Sequence, residues 1–451
     1  MKKRTILLAA ATLLSAILPV SAQEEMYAAR RQALLNSMED GFAVLFSDAA
    51  PGRFNKSFYY LTGIKEPGVS LVLVPGGEVE EALFSASGDW DHASLSPSAR
   101  AHRMEELPAL LSRYTQGRER ASVSFGNLAA LSGAGRVLSR LSAIENIDLS
   151  IAEMRIIKDS HEIEILRRAC RITAEGLNDV FRAVEPGMQE EDLAVLLEFG
   201  FHMRKSAGSS FLQAASGPNA TNVHFGAGER HLEDGDVIVF DVGAYLDNYT
   251  ADISRTVPVS GHFTREQREI YTVVLNSQKA AIQLMRPGAR LSDVRQEAQE
   301  VLIDGLVDLG LVLDAGNEAQ RRFFIAHGYY HFIGLDIHDV WSEYTRSPGE
   351  KIYEPGMIMT MEPGLYFPED GLDRALVRFG DDAEMRAFLE SIRPVYEKYI
   401  NIGVRIEDDV LITEDGNEIL TAAVPKEINE IEAMMAEASP FGQLDNRKRG
   451  R

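Results

Sequence analysis

The stretch that decides the fold, Val237–Val257, reads VIVFDVGAYLDNYTADISRTV. Two β-rich runs flank residues 246–248, and this pattern predicts a hairpin. Asp241 and Asp252 lie at nearly equal distances from the turn, which would place them about opposite each other on one face, with Cβ atoms roughly 5 Å apart. Two facing carboxylates among apolar neighbours are costly to bury without a cation, so the stretch indicates a metal site. The alternative is a pair of solvent-facing aspartates beside a turn, where Asp is common.

Composition identifies the chain as a large globular protein. Its 451 residues allow roughly two or three domains and a sizeable core. The apolar share of 45% and the charged share of 25% are ordinary for soluble proteins. A formal net charge of -22 argues against nucleic acids and anionic membrane surfaces as partners.

The N-terminus has the pattern of a secretory signal peptide. Residues 2–4 are basic, Thr5–Pro19 is mostly apolar, and small residues precede a cleavage site after Ala22. The apolar run is shorter than the roughly 20 residues that a membrane-spanning helix needs, although an uncleaved anchor is the alternative. We therefore expect a signal peptide at residues 1–22, export to a periplasm or the medium, and no membrane partner after cleavage.

Several common chemistries lack their residues. Cys170 is the only cysteine, so thiolate zinc clusters are excluded, and we expect this side chain to serve packing in a helix. The chain has neither a GxSxG nucleophile elbow nor a P-loop. His161 and Glu162 begin an HExxH-like string, but position 165 is Ile, so no zincin pair of histidines forms.

An alternation of predicted strands and helices over residues 23–149 indicates a mixed α/β domain. Within it we expect strands at Ser57–Gly63 and Val69–Val74 and a helix at Ala101–Tyr114. Asp159, with a glutamate three residues later, resembles a capping box and predicts that a long helix begins there. A second domain is therefore expected to start near residue 150.

Two further acidic residues repeat the pattern of the hairpin. Glu362 lies in GMIMTMEPGLYF and Glu407 lies in GVRIEDDVLIT, each among apolar, β-rich neighbours. Alone, each glutamate would more often lie on a solvated surface. Together with Asp241 and Asp252 they supply four negative charges, which balance two divalent cations. Ligation mainly by oxygen favours hard ions such as manganese or magnesium.

Three of the ten histidines fall close together in AHGYYHFIGLDIHD, at His327, His331 and His338. The glycines and β-branched residues of this stretch favour strand and loop, where a spacing of four places His327 and His331 on one face. A lone histidine in such a segment is more often a hydrogen-bonded core residue. Beside four candidate carboxylates, however, one histidine can ligate a metal and the others can donate to substrate oxygens.

These motifs resemble those of the pita-bread metallopeptidases, the family of aminopeptidase P, prolidase and methionine aminopeptidase. Four stretches carry the resemblance in order: NVHFGAGERHLEDGDVIVFDVGAYLDNYTADISRTVPV, HGYYHFIGLDIHD, MEPGLYF and GVRIEDDVLIT. An earlier stretch, SFYYLTGIKEPGVSLVLVP, resembles the N-terminal domain that aminopeptidase P and prolidase share. The resemblance implies an α+β protein, in which the mixed α/β domain is followed at 150–433 by a catalytic domain with a curved antiparallel sheet flanked by helices. Residues 434–451 would form a polar tail.

The resemblance also implies roles for individual residues. The metal ligands would be Asp241, Asp252, His331, Glu362 and Glu407. Asp252 and Glu407 would bridge two metal ions, with Asp241 on one metal and His331 on the other. The catalytic residues would be Glu362, His224, His338, His327 and Arg405.

The implied activity is that of an exported Xaa-Pro aminopeptidase. Two divalent ions, expected to be Mn²⁺, would share a hydroxide that attacks the carbonyl before proline. Glu362 would pass its proton to the proline nitrogen, His338 would stabilise the oxyanion and His224 would position the substrate. Proline-containing peptides are the expected partners, and a homo-oligomer is possible. The alternatives are a prolidase restricted to Xaa-Pro dipeptides and a non-catalytic peptide-binding module on the same fold.

Overall fold

The computed structural model of the chain describes residues 20–38, 41–47, 54–88, 99–124, 137, 139, 141–340 and 351–442. The chain divides into two compact units between Ala152 and Glu153, a point that falls within helix α4 (Ile147–Ile156). Residues 1–19 of the predicted signal peptide and residues 443–451 of the predicted tail lie outside the described residues. In the described part, no helix is both long enough and apolar enough to cross a membrane. The domain limits drawn from the sequence stay predictions.

The first unit is built on a six-stranded mixed sheet with the strand order β4-β3-β2-β1-β5-β6. Its strands are β1 (Phe42–Phe46), β2 (Ser70–Leu73), β3 (Glu81–Ser85), β4 (Arg100–Arg103), β5 (Arg120–Val123) and β6 (Ala143–Asn146). Its other helices are α1 (Val20–Ser37), α2 (Lys56–Thr62) and α3 (Leu107–Tyr114). Alternate residues of the central strand β1, which are Phe42, Val44 and Phe46, pack in one core with Leu111 of α3, because side chains alternate between the two faces of a strand.

Two predictions for this unit are wrong. The stretch Ser57–Gly63 was expected to be a strand but forms α2. The Asn55 side chain accepts a hydrogen bond from the Phe58 N–H at 3.0 Å, and Gly63 ends the helix with a φ of 72°. These two caps outweigh the preference of the aromatic residues for strands. The expected helix at Ala101–Tyr114 begins instead as part of β4, continues as a 3₁₀ helix at Met104–Glu106 and becomes α-helical at Leu107.

Among the described residues, the second unit contains three antiparallel sheets and most of the helices. Its strands are β7 (Ser209–Ser216), β8 (Val237–Leu246), β9 (Tyr249–Thr250), β10 (Ile253–Pro258), β11 (Ile358–Met361), β12 (Gly364–Tyr366), β13 (Gly403–Arg405), β14 (Asp408–Ile412) and β15 (Asn417–Ile419). Its helices are α5 (Ser160–Phe181), α6 (Glu190–Met203), α7 (Arg265–Leu284), α8 (Leu291–Asp308), α9 (Glu318–Phe324), α10 (Gly371–Phe379), α11 (Ala383–Tyr396) and α12 (Ile428–Met435). In the first sheet β8 lies between β7 and β10 and also pairs with β9. In the second, β14 lies between β11 and β15, and β12 pairs with β13 in the third.

Helix α5 begins as the sequence predicts. The Asp159 side chain accepts from the Glu162 N–H at 3.0 Å, and the Glu162 side chain accepts from the Asp159 N–H at 3.1 Å. This reciprocal pair satisfies donors that the first turn of a helix leaves free. The helix then packs on β8, where the Thr173 hydroxyl accepts from the Ala244 N–H at 2.9 Å.

The predicted hairpin is confirmed, but its register differs from the expectation. The turn holds only Asp247 and Asn248, whose φ angles of 49° and 73° are those of a type I′ turn, which matches the twist of the flanking strands. In the resulting register Asp241 pairs with Ser254. Asp252 therefore lies two positions from the place directly opposite Asp241. The expectation that the two acids lie about opposite each other is therefore wrong by two positions, because nearly equal distances from the turn do not establish which residues pair.

Candidate metal centre

Three of the predicted acidic ligands lie where a strand is interrupted. Asp252 lies between β9 and β10, Glu362 between β11 and β12, and Glu407 between β13 and β14. Strand β11 pairs with β14, and β12 pairs with β13. The two glutamates therefore lie next to each other, at the point where the chain passes from one strand pair to the other. Asp241, in contrast, lies inside β8. The strands thus bring four carboxylates together, although only Asp241 is part of a regular strand.

A buried histidine joins these carboxylates. Asp252, His331 and Glu407 are all buried, and each offers a ligand atom within 4.8 Å of the other two. The His331 Nε2 atom lies 3.4 Å from Asp252 Oδ2 and 3.5 Å from Glu362 Oε1. Its distance to Glu407 Oε1 is 3.9 Å. The structure therefore brings four of the five predicted metal ligands together.

Asp241, the fifth predicted ligand, lies at the edge of this group. Its Oδ2 atom accepts a hydrogen bond from Arg405 Nη2, so it already has a cationic partner. Its Oδ1 atom, like Asp252 Oδ1, is buried without a hydrogen-bond partner among the described residues. Buried polar atoms are rarely left unpaired, and two such oxygens beside one histidine suit a cation.

The state of His331 gives a second reason to expect a cation. Its Nδ1 atom lies 3.0 Å from the Phe332 carbonyl oxygen and must donate to it. Burial and, to a smaller extent, the charge of His338 lower the pKa of His331 to about 3, so the ring is neutral and its Nε2 atom presents a lone pair. That lone pair and the Asp252 carboxylate are both acceptors, so they face each other favourably only when a metal ion or a proton lies between them. A second interaction that fixes the tautomer is typical of metal-ligating histidines.

The buried carboxylates of the site repel one another. Burial raises the pKa of Asp252 and of Glu407 well above the usual range, and neighbouring carboxylates raise it further. Burial also raises the pKa of Glu362 to about 8, although Arg405 acts in the opposite direction. A bound cation would keep these groups ionised. The residues therefore fit the divalent metal that oxygen-rich ligation predicts.

A directed chain of hydrogen bonds lies beside the acids. Arg405 Nη1 donates to the Tyr366 hydroxyl at 3.0 Å, and this hydroxyl contacts His327 Nε2 at 2.9 Å. The His327 Nδ1 atom in turn lies 2.6 Å from the Gly328 carbonyl oxygen and 3.4 Å from Glu362 Oε2. Burial lowers the pKa of His327 to about 4, so its neutral ring accepts from Tyr366 and donates to the carbonyl. Tyr366 was missed in the sequence, although it lies in the motif that contains Glu362.

The other two predicted histidines complete the site. The ring of His338 lies 4.3 Å from that of His331, centroid to centroid. Burial lowers the pKa of His338, and the charge of His224 lowers it further. His224 is exposed, and the preceding Val223 carbonyl accepts from Arg405 Nη1 at 2.9 Å. All nine predicted site residues are thus part of, or adjacent to, one buried cluster.

Comparison with known proteins agrees with this geometry. The family model for Metallopeptidase family M24 matches residues 164–414, and that for the Aminopeptidase P, N-terminal domain matches residues 27–94. A Xaa-Pro aminopeptidase of Escherichia coli K12 is 34% identical over 462 residues, which cover 93% of this chain and 99% of that protein. The chain belongs to metallopeptidase family M24.

The chain is also similar to solved aminopeptidase structures and to a dipeptidase. Escherichia coli aminopeptidase P with the inhibitor Pro-Leu matches 91% of this chain and 98% of its own, with 31% identity and a TM-score of 0.78. A Pseudomonas aeruginosa aminopeptidase matches 93% and 98%, with 29% identity and a TM-score of 0.78. A mouse Xaa-Pro dipeptidase is 35% identical over 308 residues, 63% of this chain and 61% of that protein. The predicted family and fold are confirmed, as is the prediction of an enzyme, a metallo-exopeptidase.

A second set of residues makes hydrogen bonds to the predicted metal ligands. The sequence did not reveal this role. The Asp252 N–H donates to Asp409 Oδ2 at 3.0 Å, and Cys170 Sγ contacts the same oxygen at 3.2 Å. The Ser254 hydroxyl donates to Glu407 Oε2 at 2.6 Å and accepts from Arg405 Nε at 2.8 Å. Cys170 is buried, as expected for a packing residue. These contacts orient the M24 ligands by linking them to residues far away in sequence.

Asp408, next to Glu407, belongs to a separate buried network. Its Oδ1 atom accepts from Arg255 Nη2 at 2.7 Å and from the Thr421 hydroxyl at 2.6 Å. Its Oδ2 atom accepts from Lys426 Nζ at 2.6 Å and from Gln278 Nε2 at 3.0 Å. These cations hold the pKa of Asp408 below its usual range, in spite of burial. The network joins β10, β14, α7 and the segment before α12.

Proposed function

We propose that this M24 protein is an exported Xaa-Pro aminopeptidase, which releases the first residue of peptides with proline in second position. The observation that carries the proposal is the buried group of Asp252, His331 and Glu407, whose acceptor atoms face one another. The near-full-length similarity to a Xaa-Pro aminopeptidase supports the choice of substrate.

Five residues would hold the metal in this proposal. They are Asp241, Asp252, His331, Glu362 and Glu407. We propose two divalent ions, and manganese in particular, because the donors are four carboxylates and one imidazole. When bound, such ions supply a hydroxide near neutral pH and polarise the scissile carbonyl.

The side chains of the protein would move the protons and hold the substrate. Glu362, whose oxygens lie 3.4 Å from His327 and 3.5 Å from His331, accepts the proton of the attacking water and delivers it to the leaving proline nitrogen. His338, whose ring lies 4.3 Å from that of His331, donates to the carbonyl oxygen as negative charge develops there. His224 lies exposed at the rim and positions the peptide.

Export and assembly are parts of the same proposal. The basic residues at 2–4, the apolar run to Pro19 and the small residues before Gln23 support cleavage after Ala22. We therefore expect the mature protein, isolated from the periplasm or the medium, to begin at Gln23. N-terminal sequencing of that material tests this, and a chain that still begins at Met1 would contradict export by cleavage. Gel filtration with light scattering tests the proposed homo-oligomer.

A prolidase is the second candidate. The similarity to a mouse Xaa-Pro dipeptidase favours it, but covers only 63% of this chain. A dipeptidase requires the proline to carry a free carboxylate. An aminopeptidase accepts a proline whose carbonyl group continues into a longer peptide. Peptide length therefore separates the two functions.

The deciding experiment measures hydrolysis of Xaa-Pro and Xaa-Pro-Yaa peptides by protein treated with a chelator, and again after Mn²⁺ is restored. Metal-dependent release of the first residue from the longer peptide is the expected result. Cleavage of the dipeptide alone would identify a prolidase. No cleavage of either peptide by metal-loaded protein would indicate another scissile bond, and absence of metal binding would favour the peptide-binding module.

The role of Glu362 is tested by Glu362→Gln, which keeps the shape of the side chain but removes its basicity. We expect kcat to fall by about 10²-fold to 10⁴-fold, the range for loss of a general acid or base, with an unchanged circular dichroism spectrum. The matched control is Glu369→Gln, because Glu369 is exposed. Near-normal turnover of Glu362→Gln would refute the proposed proton transfer.

A further inference from the structure

The loop that carries His224 has little regular structure of its own. After β7 the chain forms a short 3₁₀ helix, Gly217–Thr221, and no strand follows until β8 begins at Val237. Loops of this kind depend on side chains to satisfy and fix their backbone. On the side of the metal centre, the Val223 carbonyl accepts from Arg405, and the Phe225 N–H donates to Gln213 Oε1 at 3.1 Å.

On its other side, the buried carboxylate of Glu190 holds this loop, together with the N–H groups of Glu190 and Glu191, which donate to the Arg230 and Gly228 carbonyls at 3.1 Å. Glu190 is the first residue of α6 and is fully buried. Its Oε1 atom accepts from the Ser216 N–H and the Ser216 hydroxyl, both at 2.7 Å, and from Asn219 Nδ2 at 3.1 Å. Its Oε2 atom accepts from Asn219 Nδ2 at 3.2 Å and from the Gly228 N–H at 3.1 Å. One side chain thus joins Ser216, Asn219 and Gly228, which lie on both sides of His224 in the chain.

The chemistry of this contact favours a positioning role. A buried carboxylate is costly unless its oxygens are hydrogen-bonded, and the donors around Glu190 are neutral amide and hydroxyl groups of the loop itself. Its position at the start of α6 adds a favourable interaction with the helix dipole. The Ser216 hydroxyl also accepts from Arg230 Nη1 at 2.8 Å, which holds the donor in place. The energy of these contacts depends on the loop having one conformation.

We infer that Glu190 is a positioning residue for His224, which it fixes through the backbone of residues 216–228 without touching the substrate. The inference rests on the proposed function, in which His224 contacts the peptide. His224 itself is exposed, so its place at the rim depends on the loop on either side of it. Glu190 holds the outer side of that loop, and Arg405 and Gln213 hold the inner side.

Glu190→Gln tests this inference, because the amide keeps one acceptor and turns a donor toward the Asn219 amide and the Gly228 N–H. We expect kcat/KM for Xaa-Pro-Yaa to fall by about 10-fold to 100-fold, as when hydrogen bonds to a charged group are lost. The matched control is Glu191→Gln, which removes the same charge from the next residue of α6, where the side chain is exposed. We expect the control to change kcat/KM by less than about twofold.

A double-mutant cycle with His224→Ala separates positioning from a general effect on the fold. If Glu190 acts through His224, Glu190→Gln should cost less than about threefold in the His224→Ala background, because coupled residues are not additive. An equal loss in both backgrounds would overturn the inference.

Hydrogen exchange gives a readout that does not depend on activity. We expect amides of residues 217–228 to exchange at least about tenfold faster in Glu190→Gln than in the wild type and in Glu191→Gln, with α7 unchanged. Unchanged exchange in the loop would also overturn the inference. If Glu190→Gln does not fold, Asn219→Ala, which removes a donor to both oxygens, should show the same effects to a smaller extent. If the wild type cleaves neither peptide, the proposed function fails, while hydrogen exchange still decides the role of Glu190.

Discussion

Glu407 and Asp408 are neighbours in sequence and equally buried, with 2% and 0% of their surfaces exposed, yet their surroundings are opposite. Asp408 faces Arg255 and Lys426, which lower its pKa. Glu407 faces other carboxylates, and burial, together with these carboxylates, raises its pKa. Successive residues of an extended chain point to opposite sides, so one short stretch serves two sites. Asp408 is paired with cationic side chains of the protein itself and therefore stabilises the fold. Glu407 has no such pair in the described part of the chain and is therefore available to bind a metal cation from solution.

The largest effect that this comparison predicts is on turnover. Glu407→Gln should abolish metal-dependent cleavage, with a loss well beyond the about 10-fold to 100-fold that follows loss of a residue behind the ligands. The metal-free variant should remain folded, because the substitution removes one of several crowded negative charges. Peptide hydrolysis and urea unfolding measure the two quantities. Retained activity would show that Glu407 is not needed to bind the metal. An unfolded metal-free variant would show that Glu407, like Asp408, stabilises the fold.

The counterpart is a loss of stability at Asp408. Asp408→Asn leaves the buried Arg255 and the partly buried Lys426 without their anion, which we expect to lower the free energy of unfolding by about 3–5 kcal/mol. Urea unfolding of metal-free protein measures this, with Asp415→Asn as the control, because Asp415 is exposed. A loss below about 1 kcal/mol would mean that the network contributes little.

A dependence on pH follows from the crowded acids. The folded metal-free protein raises the pKa of Glu362 from 4.5 to about 8, so the folded state binds this proton at a higher pH than the unfolded state does. The resulting stability is fully present below about pH 4.5 and is lost as the pH rises toward 8. We expect the urea midpoint of metal-free protein to fall over this range and Mn²⁺ to reduce the fall. Equal pH profiles with and without Mn²⁺ would contradict the comparison.

The smallest effect is expected behind the ligands. Ser254→Ala removes the hydroxyl that donates to Glu407 Oε2, and we expect Mn²⁺ to bind about 10-fold to 100-fold more weakly. Isothermal titration calorimetry measures this, and Ser260→Ala is the control because Ser260 is exposed. Affinity within twofold of the wild type would show that the hydroxyl is dispensable.

Much of the centre was predictable because its signals are local. Asp241, Asp252, Glu362 and Glu407 stand out as single acids in apolar, β-rich runs, and the histidines cluster in one short stretch. The structure then gathers them as the resemblance implied. The roles of the ligands stay predictions until metal binding is measured.

What escaped prediction depends on geometry that a short stretch does not contain. The hairpin register follows from two residues with positive φ, Asp247 and Asn248, and the pattern of the flanking strands does not show which residues pair across the turn. The stretch that forms α2 looks like a strand until its two caps are counted. Asp408 meets Arg255 from more than 150 residues away, and neither residue signals the other in the sequence.

The two-residue turn also limits how the length of this chain can change. Side chains alternate between the faces of a strand, so one residue inserted at the tip would turn either Asp241 or Asp252 away from the other. Exposed turns usually tolerate insertions and deletions, but this one behaves as a spacer within the metal centre. The connection between Glu362 and Glu407 is under no such constraint, because its ends are tied by the pairing of β12 with β13. Helices α10 and α11 occupy that connection and are where this architecture can gain or lose residues without moving a ligand.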